Sequence, residues 1–238
     1  MNEITHSEKV ITKLELLEYI MTEKTPTLLL GAGFSIGAVN EQNEKLPLGK
    51  GLAKKMYNHF YVANKPSDYL AGHLDEVKIY EEDLFTLCTL LKNEGRTDDR
   101  NRYLIKNFSG CHVDSNTFQS HIVEYPWKFI FTLNIDDFVE NIYKKMKLPL
   151  ETWTRFNNGT YPDDEVPLLI KLHGCVNEPE SGFIFDTDEY NEFMAGQTAP
   201  LMKLCEEFCS NDIIILGTEF QERDLEFALT VYQRAGFE

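Results

Sequence analysis

The sequence lacks any long apolar segment. Its longest purely apolar runs are 60–63 and 213–216, whereas a helix that crosses a bilayer needs about 20 such residues. Residues 1–10 contain neither a basic stretch nor an apolar one, so no secretory signal is visible. These absences exclude a membrane-spanning helix and predict a cytoplasmic location with no membrane partner.

Cysteine is scarce, and no two cysteines form a Cys-x-x-Cys pair. The five cysteines are Cys88, Cys111, Cys175, Cys205 and Cys209. Paired motifs of that kind are what a four-cysteine zinc ribbon requires, so the sequence predicts no such ribbon and no bound metal. The odd number, the irregular spacing and the missing signal segment favour reduced thiols over disulfides.

The chain also has few basic residues relative to acidic ones. The chain has 23 Lys and Arg against 39 Asp and Glu, which gives a formal net charge of −16. A surface this acidic repels phosphate backbones, so the composition disfavours general nucleic-acid binding. The densest basic run, 144–147, is interpreted as the solvated face of a helix.

Apolar strands alternate with helices along most of the chain. The patterns predict strands at 27–30, 129–134, 166–172, 183–185 and 212–217, and helices at 8–22, 49–61, 136–147, 199–210 and 224–233. Strands without polar alternation are typical of a parallel sheet that is buried on both faces. The predicted fold is therefore α/β, with a Rossmann-like, doubly wound, mainly parallel sheet. Residues 62–125, which carry charge clusters and a helical stretch at 81–93, are interpreted as a helical insertion.

Four of the predicted strands end in residues suited to a ligand. In chain order these ends are Gly31-Ala32-Gly33-Phe34-Ser35, Asn134-Ile135-Asp136, His173-Gly174 and Gly217-Thr218. The carboxyl ends of parallel strands lie on one side of the sheet, where ligands bind in open α/β folds. We therefore expect the four motifs to line one crevice.

The first motif has the composition of a phosphate-binding turn. Glycines allow a sharp turn and a close backbone approach, and we expect a helix to follow whose free amides hold a pyrophosphate. A tight turn that binds no ligand is the alternative. Ile36 replaces the third glycine of the full dinucleotide fingerprint, and the nearest downstream acidic candidate is Glu44 in a loop-like stretch. These departures disfavour a plain dehydrogenase.

The polar residues at the other strand ends each have a chemical and a structural interpretation. Asn134 offers donors and an acceptor to ribose hydroxyls or an ordered water. His173 can act as a general base, or it can be a half-buried residue bonded to a backbone carbonyl. Asp136 or Asp137 can instead cap the following helix. The last motif, taken alone, equally fits a helix-entry turn.

The four motifs together resemble the sirtuin superfamily, in the same order along the chain. The resemblance covers roughly residues 26–235 apart from the insertion. Sirtuin deacylases carry a zinc ribbon, which is missing here, and residues 46–52 replace the Pro-Asp-Phe-Arg segment of that family. In both respects the sequence is similar to the zinc-free sirtuin-like domains (silent-information-regulator family) of bacterial antiphage defence systems, which hydrolyse NAD⁺.

This resemblance implies an NAD⁺ hydrolase (NADase) that cleaves the nicotinamide–ribose bond, in the bacterial cytoplasm and in abortive-infection defence. It implies catalytic roles for Asn134, His173 and Asp136, with NAD⁺ as substrate and no metal. The residues implied to contact the dinucleotide are Gly31, Ala32, Gly33, Phe34, Ser35, Pro47, Gly217 and Thr218. A non-catalytic NAD or ADP-ribose sensor and a zinc-free deacylase or ADP-ribosyltransferase remain alternatives.

The family also suggests how such an activity is controlled. An unregulated NAD⁺ hydrolase would poison its own cell, so we expect control through a homo-oligomer, or through a sensor region or regulatory subunit. We further expect residues 1–238 to be one sirtuin-like NAD-binding domain, forming the N-terminal part of a longer protein.

Overall fold

A computed structural model describes most of the chain. The described ranges are 25–63, 83–114, 117–157, 166–196, 198–218 and 222–234. The predicted helix at 8–22 lies outside these ranges. All five cysteine thiols are free. In the described ranges, no helix combines the length and the apolar character needed to cross a bilayer.

The described residues form one parallel sheet of five strands. These are β1 (Thr27–Leu30), β2 (Phe129–Thr132), β3 (Glu151–Thr154), β4 (Leu168–Lys171) and β5 (Ile213–Leu216), in the order β3-β4-β2-β1-β5. Leu30 pairs with both Thr132 and Leu216, and Thr132 pairs with Lys171. The carboxyl ends of these strands are therefore level, as the strand-end motifs require.

Helices cover both faces of the sheet. They are α1 (Gly49–Tyr57), α2 (Leu84–Asn93), α3 (Thr97–Phe108), α4 (Phe138–Met146), α5 (Thr187–Gly196), α6 (Ala199–Ser210) and α7 (Arg223–Arg234). Leu28 and Leu30 point to the face that α4 covers, whereas Leu29 points to the face that α5, α6 and α7 cover. Because side chains alternate along a strand, strands buried on both faces read as continuous apolar runs. This confirms the predicted α/β, Rossmann-like fold.

A third layer of helices lies across the carboxyl end of the sheet. Helices α1, α2 and α3 share a core with Ile135, Val176 and Phe183, which follow β2 and β4. Two of these helices and a 3₁₀ segment, Phe118–Glu124, account for most of the described part of the predicted insertion. The first helix continues into a π-helical segment, Asn58–Ala63. This layer forms a wall beside the strand-end motifs.

Three elements differ from the sequence-based expectation. The predicted strand at 183–185 is wrong, because these residues form a loop whose Ile184 N–H donates to His173 O at 3.1 Å. The run is apolar because Phe183 and Ile184 are buried, not because it joins the sheet. The sequence analysis missed β3, a short edge strand, and α5, whose acidic first turn masks its apolar spacing.

Candidate functional site

The carboxamide of Asn134 is held in a fixed orientation just beyond β2. Its Nδ2 donates to Gly31 O at 3.1 Å and to Ser35 Oγ at 3.1 Å. An amide nitrogen has two hydrogens, so both are used in binding the first motif. The Oδ1 atom accepts no hydrogen bond from the described residues. Asn134 therefore presents an oriented acceptor.

Ser35 connects this amide to Asp136. Ser35 Oγ donates to Asp136 Oδ2 at 3.0 Å, and Asp136 Oδ1 accepts from Phe138 N–H at 3.1 Å. Both carboxylate oxygens thus bind protein donors, and only 6% of Asp136 is exposed. The carboxylate accepts the amide of the first residue of α4, although the N-cap residue of this helix is Asp137, and it also fixes Ser35.

Asp137 does not cap the helix through its side chain. Its two carboxylate oxygens accept from Gly110 N–H and Cys111 N–H, each at 2.8 Å. The residue therefore anchors the loop that follows α3. Asp136 and Asp137 therefore have different structural roles, which could not be told apart from the sequence.

The Asp136 carboxyl has an unusual environment. Burial raises its pKa to about 6, against the pull of Lys171, while Glu140 adds to the rise. Lys171 Nζ is bonded to the Asp136 backbone oxygen and, at 2.7 Å, to Glu140 Oε1. Burying a charge in a low-dielectric interior favours its neutral form. The group is nevertheless ionised in most molecules at pH 7.

The raised pKa of Asp136 predicts that the free energy of unfolding depends on pH. Its folded pKa of about 6 exceeds the ordinary 3.8, so its favourable contribution is fully present below about pH 4 and is lost as the pH rises through about 6. That shift corresponds to about 3 kcal/mol. We expect Asp136→Asn to remove this contribution. Between about pH 3 and pH 8, the free energy of unfolding of the wild type, measured with urea, should fall by about 3 kcal/mol more than that of the variant.

Asp114→Asn is the matched control for this measurement. Asp114 is exposed, so its variant should follow the wild-type pH dependence. Equal pH dependence in the wild type and in Asp136→Asn would contradict the prediction.

A cavity of about 120 Å³ lies beside Asn134. Five of the predicted site residues line it, namely Ala32, Ser35, Pro47, Asn134 and Asp136. The remaining wall is mostly apolar and includes Leu52 of α1 and Phe108 of α3. The volume is below the roughly 300–1,000 Å³ of typical ligand pockets. Within the described ranges, no group of three His, Cys, Asp or Glu side chains is placed to hold a metal.

The glycines of the first and last motifs pack against each other. Gly33 N–H donates to Gly217 O at 2.7 Å, and Gly31 N–H donates to Leu216 O at 2.9 Å. A Cβ on Gly33 would lie 2.8 Å from Gly217 Cα. These glycines therefore let the ends of β1 and β5 approach closely.

This packing changes the expected role of the first motif. The motif itself forms a four-residue 3₁₀ helix, Ala32–Ser35, and the next α-helix begins only at Gly49. The expected helix start directly after the glycines is therefore wrong. The amides of Gly33 and Phe34 donate to Gly217 O and Gly31 O. Neither of these two amides is free for a pyrophosphate in this conformation.

Two other predicted contact residues lie away from the cavity wall. Phe34 is only 3% exposed and packs against Phe138, with ring centroids 5.7 Å apart. Thr218 Oγ1 donates to Glu222 Oε2 at 2.5 Å. Phe34 is thus a core residue, and Thr218 binds the residue just before α7.

His173 forms a second polar cluster beyond β4. Its Nε2 lies 3.0 Å from Asp224 Oδ2, and Asp224 Oδ1 accepts from the Tyr190 hydroxyl. The described wall of the cavity does not include His173. The sequence pattern marks Asp224 only as a residue downstream of the last motif and gives no signal for Tyr190, because the partners of His173 come from α5 and α7.

The carboxylate of Asp224 determines which nitrogen of His173 carries a proton. Burial alone would raise the pKa of Asp224, but the charge of His173 and the hydrogen bonds from His173 and Tyr190 outweigh it, so the pKa lies below its ordinary value. An ionised carboxylate only accepts hydrogen bonds. Nε2 is therefore the donor, and Nδ1 of a neutral His173 is left as an acceptor.

A buried ion-pair network holds α5 in place. Arg100 of α3 is fully buried and pairs with Asp186 at 3.3 Å and with Glu189 at 2.6 Å. Glu189 Oε2 also accepts the amides of Phe185 and Asp186. Because Tyr190 follows Glu189 directly, this network links the helical layer to the cluster around His173.

Comparison with protein families gives a match to the second part of the chain. Residues 128–236 match the family model described as a SIR2-like domain. The match runs from the start of β2 to the end of α7, and it includes Asn134, Asp136, His173, Gly217 and Thr218. No curated protein matches the chain. The match confirms the sirtuin-like character of residues 128–236, slightly less than half of the chain. SIR2-like domains bind NAD⁺ and are usually NAD-dependent enzymes.

Proposed function

On the premise that residues 128–236 form a SIR2-like domain, we propose that the chain is an NAD⁺ glycohydrolase that releases nicotinamide and ADP-ribose. The observation that carries the proposal is the oriented amide of Asn134 in the wall of a cavity. We place the nicotinamide–ribose end of NAD⁺ in this cavity, because its wall is apolar on one side and polar on the other. The pyrophosphate would leave the cavity past Ala32 and Ser35 without using the amides of Gly33 and Phe34, which are bonded within the protein.

Cleavage of the nicotinamide–ribose bond requires little acid catalysis. Nicotinamide leaves from a cationic ring and takes the bonding electrons, so no proton has to be supplied to it. The sugar then develops oxocarbenium character, as in other glycosyl transfers. The site must hold the sugar, stabilise positive charge and direct a water molecule to the anomeric carbon.

Asn134 is suited to two of these tasks. Its Oδ1 would accept a hydrogen bond from the attacking water or from a ribose hydroxyl, which leaves a water lone pair for the anomeric carbon. A fixed carbonyl dipole also stabilises developing positive charge without reorganisation. Ser35 and Asp136 position this amide, because Asp136 orients the Ser35 hydroxyl and that hydroxyl accepts a hydrogen bond from Asn134 Nδ2. We therefore assign Asp136 a positioning role.

His173 is proposed as the proton acceptor. Nδ1 would take the proton lost when water attacks, either directly or through a ribose hydroxyl. Since His173 does not line the described wall of the cavity, this step requires the substrate or the loop at His173 to bring the two together. Asp224 would keep Nδ1 in its accepting form.

The test is nicotinamide release from NAD⁺ by the chain and by two variants. We expect Asn134→Ala and His173→Ala each to lower the rate by at least about 100-fold, with unchanged circular dichroism. Asn93→Ala and His121→Ala are matched controls, because both residues are exposed, and they should retain the wild-type rate. No turnover by the wild type, or full turnover by both site variants, would contradict the hydrolase.

One observation favours a second candidate, a domain that binds NAD⁺ or ADP-ribose without cleaving it. His173, the proposed proton acceptor, does not line the described wall of the cavity that contains Asn134. Binding of NAD⁺ without nicotinamide release would select this alternative. A zinc-free deacylase or ADP-ribosyltransferase would instead require an acceptor substrate. A role in antiphage defence and control by oligomerisation or a sensor follow from the resemblance and remain part of the proposal.

A further inference from the structure

A second, larger cavity of about 750 Å³ lies on the outer side of the helical layer. It opens between the C-terminal half of α1 with its π-helical continuation and the exposed face of α3. The charged side chains in its wall are Lys55, Arg96, Arg102, Lys106, Glu44 and Asp99. Four cations face two carboxylates here, in a chain whose formal net charge is −16. We call this cavity the basic groove.

Two of the cations in the basic groove have no ion-pair partner among the described residues. Arg102 pairs with Asp99, and Arg96 pairs with Glu94 at 3.4 Å. Lys55 and Lys106, in contrast, make no ion pair with the part of the chain that the structure describes, although acidic residues are abundant in this sequence. They lie on different elements, so they converge only in the folded chain.

The positive charges of Lys106 and Arg96 affect the pKa of a neighbouring side chain. His59 of the π-helical segment lines the groove. Burial lowers its pKa, and the charges of Lys106 and Arg96 lower it further, while Asp99 opposes them weakly. An additional positive charge is therefore unfavourable at this place, and a negative one is favoured.

Aromatic rings lie beside the cations. The rings of His59 and Tyr103 are 4.8 Å apart, and those of Phe60 and Tyr103 are 5.6 Å apart. The π-helical turn, a form that occurs mostly in short pieces at functional sites, places His59 against α3. Flat rings of this kind stack with a planar ligand group. The groove thus combines two lysines that form no ion pair with the described part of the chain and a surface for a planar ring.

We propose that the basic groove binds a phosphorylated small molecule that carries a planar ring, such as a nucleoside diphosphate. Lys55 and Lys106 would pair with its phosphate oxygens, and the rings of His59 and Tyr103 would contact its base. A small molecule is favoured over a polynucleotide, because the net charge of the rest of the chain repels a long phosphate backbone.

The basic groove is distinct from the cavity at Asn134. The same helices contribute to both, but with different faces: α1 gives Lys55 to the groove and Leu52 to the cavity, and α3 gives Lys106 and Phe108 respectively. A ligand in the groove would therefore bind independently of the Asn134 side chain. This separation allows the two sites to be tested apart.

Isothermal titration of the full chain with ADP tests the proposal. We expect the double variant Lys55→Ala/Lys106→Ala to raise the Kd of ADP by at least about tenfold. The matched control is Lys54→Ala/Lys144→Ala, which removes two exposed lysines outside the groove and should leave the Kd unchanged. Asn134→Ala should also bind ADP normally, and inorganic pyrophosphate, which has no ring, should bind more weakly than ADP.

Several results would overturn the proposal. These are the absence of ADP binding at millimolar concentration, an unchanged Kd in the Lys55→Ala/Lys106→Ala variant, and loss of ADP binding in Asn134→Ala. The last result would place ADP in the other cavity. Tighter binding of a single-stranded oligonucleotide than of ADP would assign the groove to a polynucleotide instead.

Discussion

Asp224→Asn is expected to lower the kcat of nicotinamide release by about 100- to 10,000-fold, the contribution of a general base. The Asn carboxamide can still accept the Tyr190 hydroxyl through Oδ1, so its Nδ2 would face His173 Nε2. Nε2 must then accept a hydrogen bond, and the proton of neutral His173 moves to Nδ1. The nitrogen that should receive a proton is thereby blocked, while the shape of the cluster is preserved.

The kinetic pattern distinguishes this positioning role from a general loss of structure. Because Asp224 does not line the described wall of the Asn134 cavity, the KM for NAD⁺ should stay within about threefold of the wild-type value. Asp114→Asn is the same substitution at an exposed residue, and it should leave kcat and KM unaltered. A kcat within about twofold of wild type in Asp224→Asn would show that Asp224 does not control His173 in the reaction.

Gly217→Ala is expected to destabilise the fold by about 3 kcal/mol or more. Gly217 has φ +77°, and a Cβ there would lie 2.3 Å from Phe34 N and 2.7 Å from Gly33 C. These are backbone atoms, so relief requires the ends of β1 and β5 to separate. For a chain of this length such a loss corresponds to a fall in Tm of roughly 6–12 °C.

Gly37→Ala is the matched control, because it isolates the clash from the backbone strain. Gly37 also has a positive φ, +89°, but a Cβ there meets nothing within 4 Å. Only the strain of the left-handed conformation remains, about 1 kcal/mol. Scanning calorimetry of both variants gives the comparison. Equal Tm values for the two would rule out the close approach of Gly217 to residues 33–34.

The sheet and its strand ends could be predicted because their signals are local. A parallel strand buried on both faces is a short apolar run, and β1, β2 and β4 are fully buried. The predicted burial of β5 is wrong, because this edge strand is mostly half-buried, but its run of Ile and Leu still marked it as a strand. The same signal gave a false strand at 183–185, since an apolar run records burial and not hydrogen bonding. An edge strand such as β3 carries too little apolar pattern to be recognised.

The contacts between motifs could be predicted only in part. Carboxyl ends of parallel strands share one side of the sheet, so the approach of Asn134 to Ser35 and Gly31 follows from the topology. The order of the strands was not visible, and neither was the packing of Gly217 against Gly33. The structural task of these glycines therefore emerged only from the folded chain.

The sequence by itself determined the fold class, the four strand-end motifs and the residue types available for chemistry, because each depends on neighbours within a few positions. The tertiary structure alone decided that Asp224 and Tyr190 bind His173, that Asp136 acts through Ser35, and that Lys55 and Lys106 converge in the basic groove. These partners lie on separate helices. Their proximity depends on how the helices pack over the sheet, and side-chain spacing within one segment does not encode that arrangement.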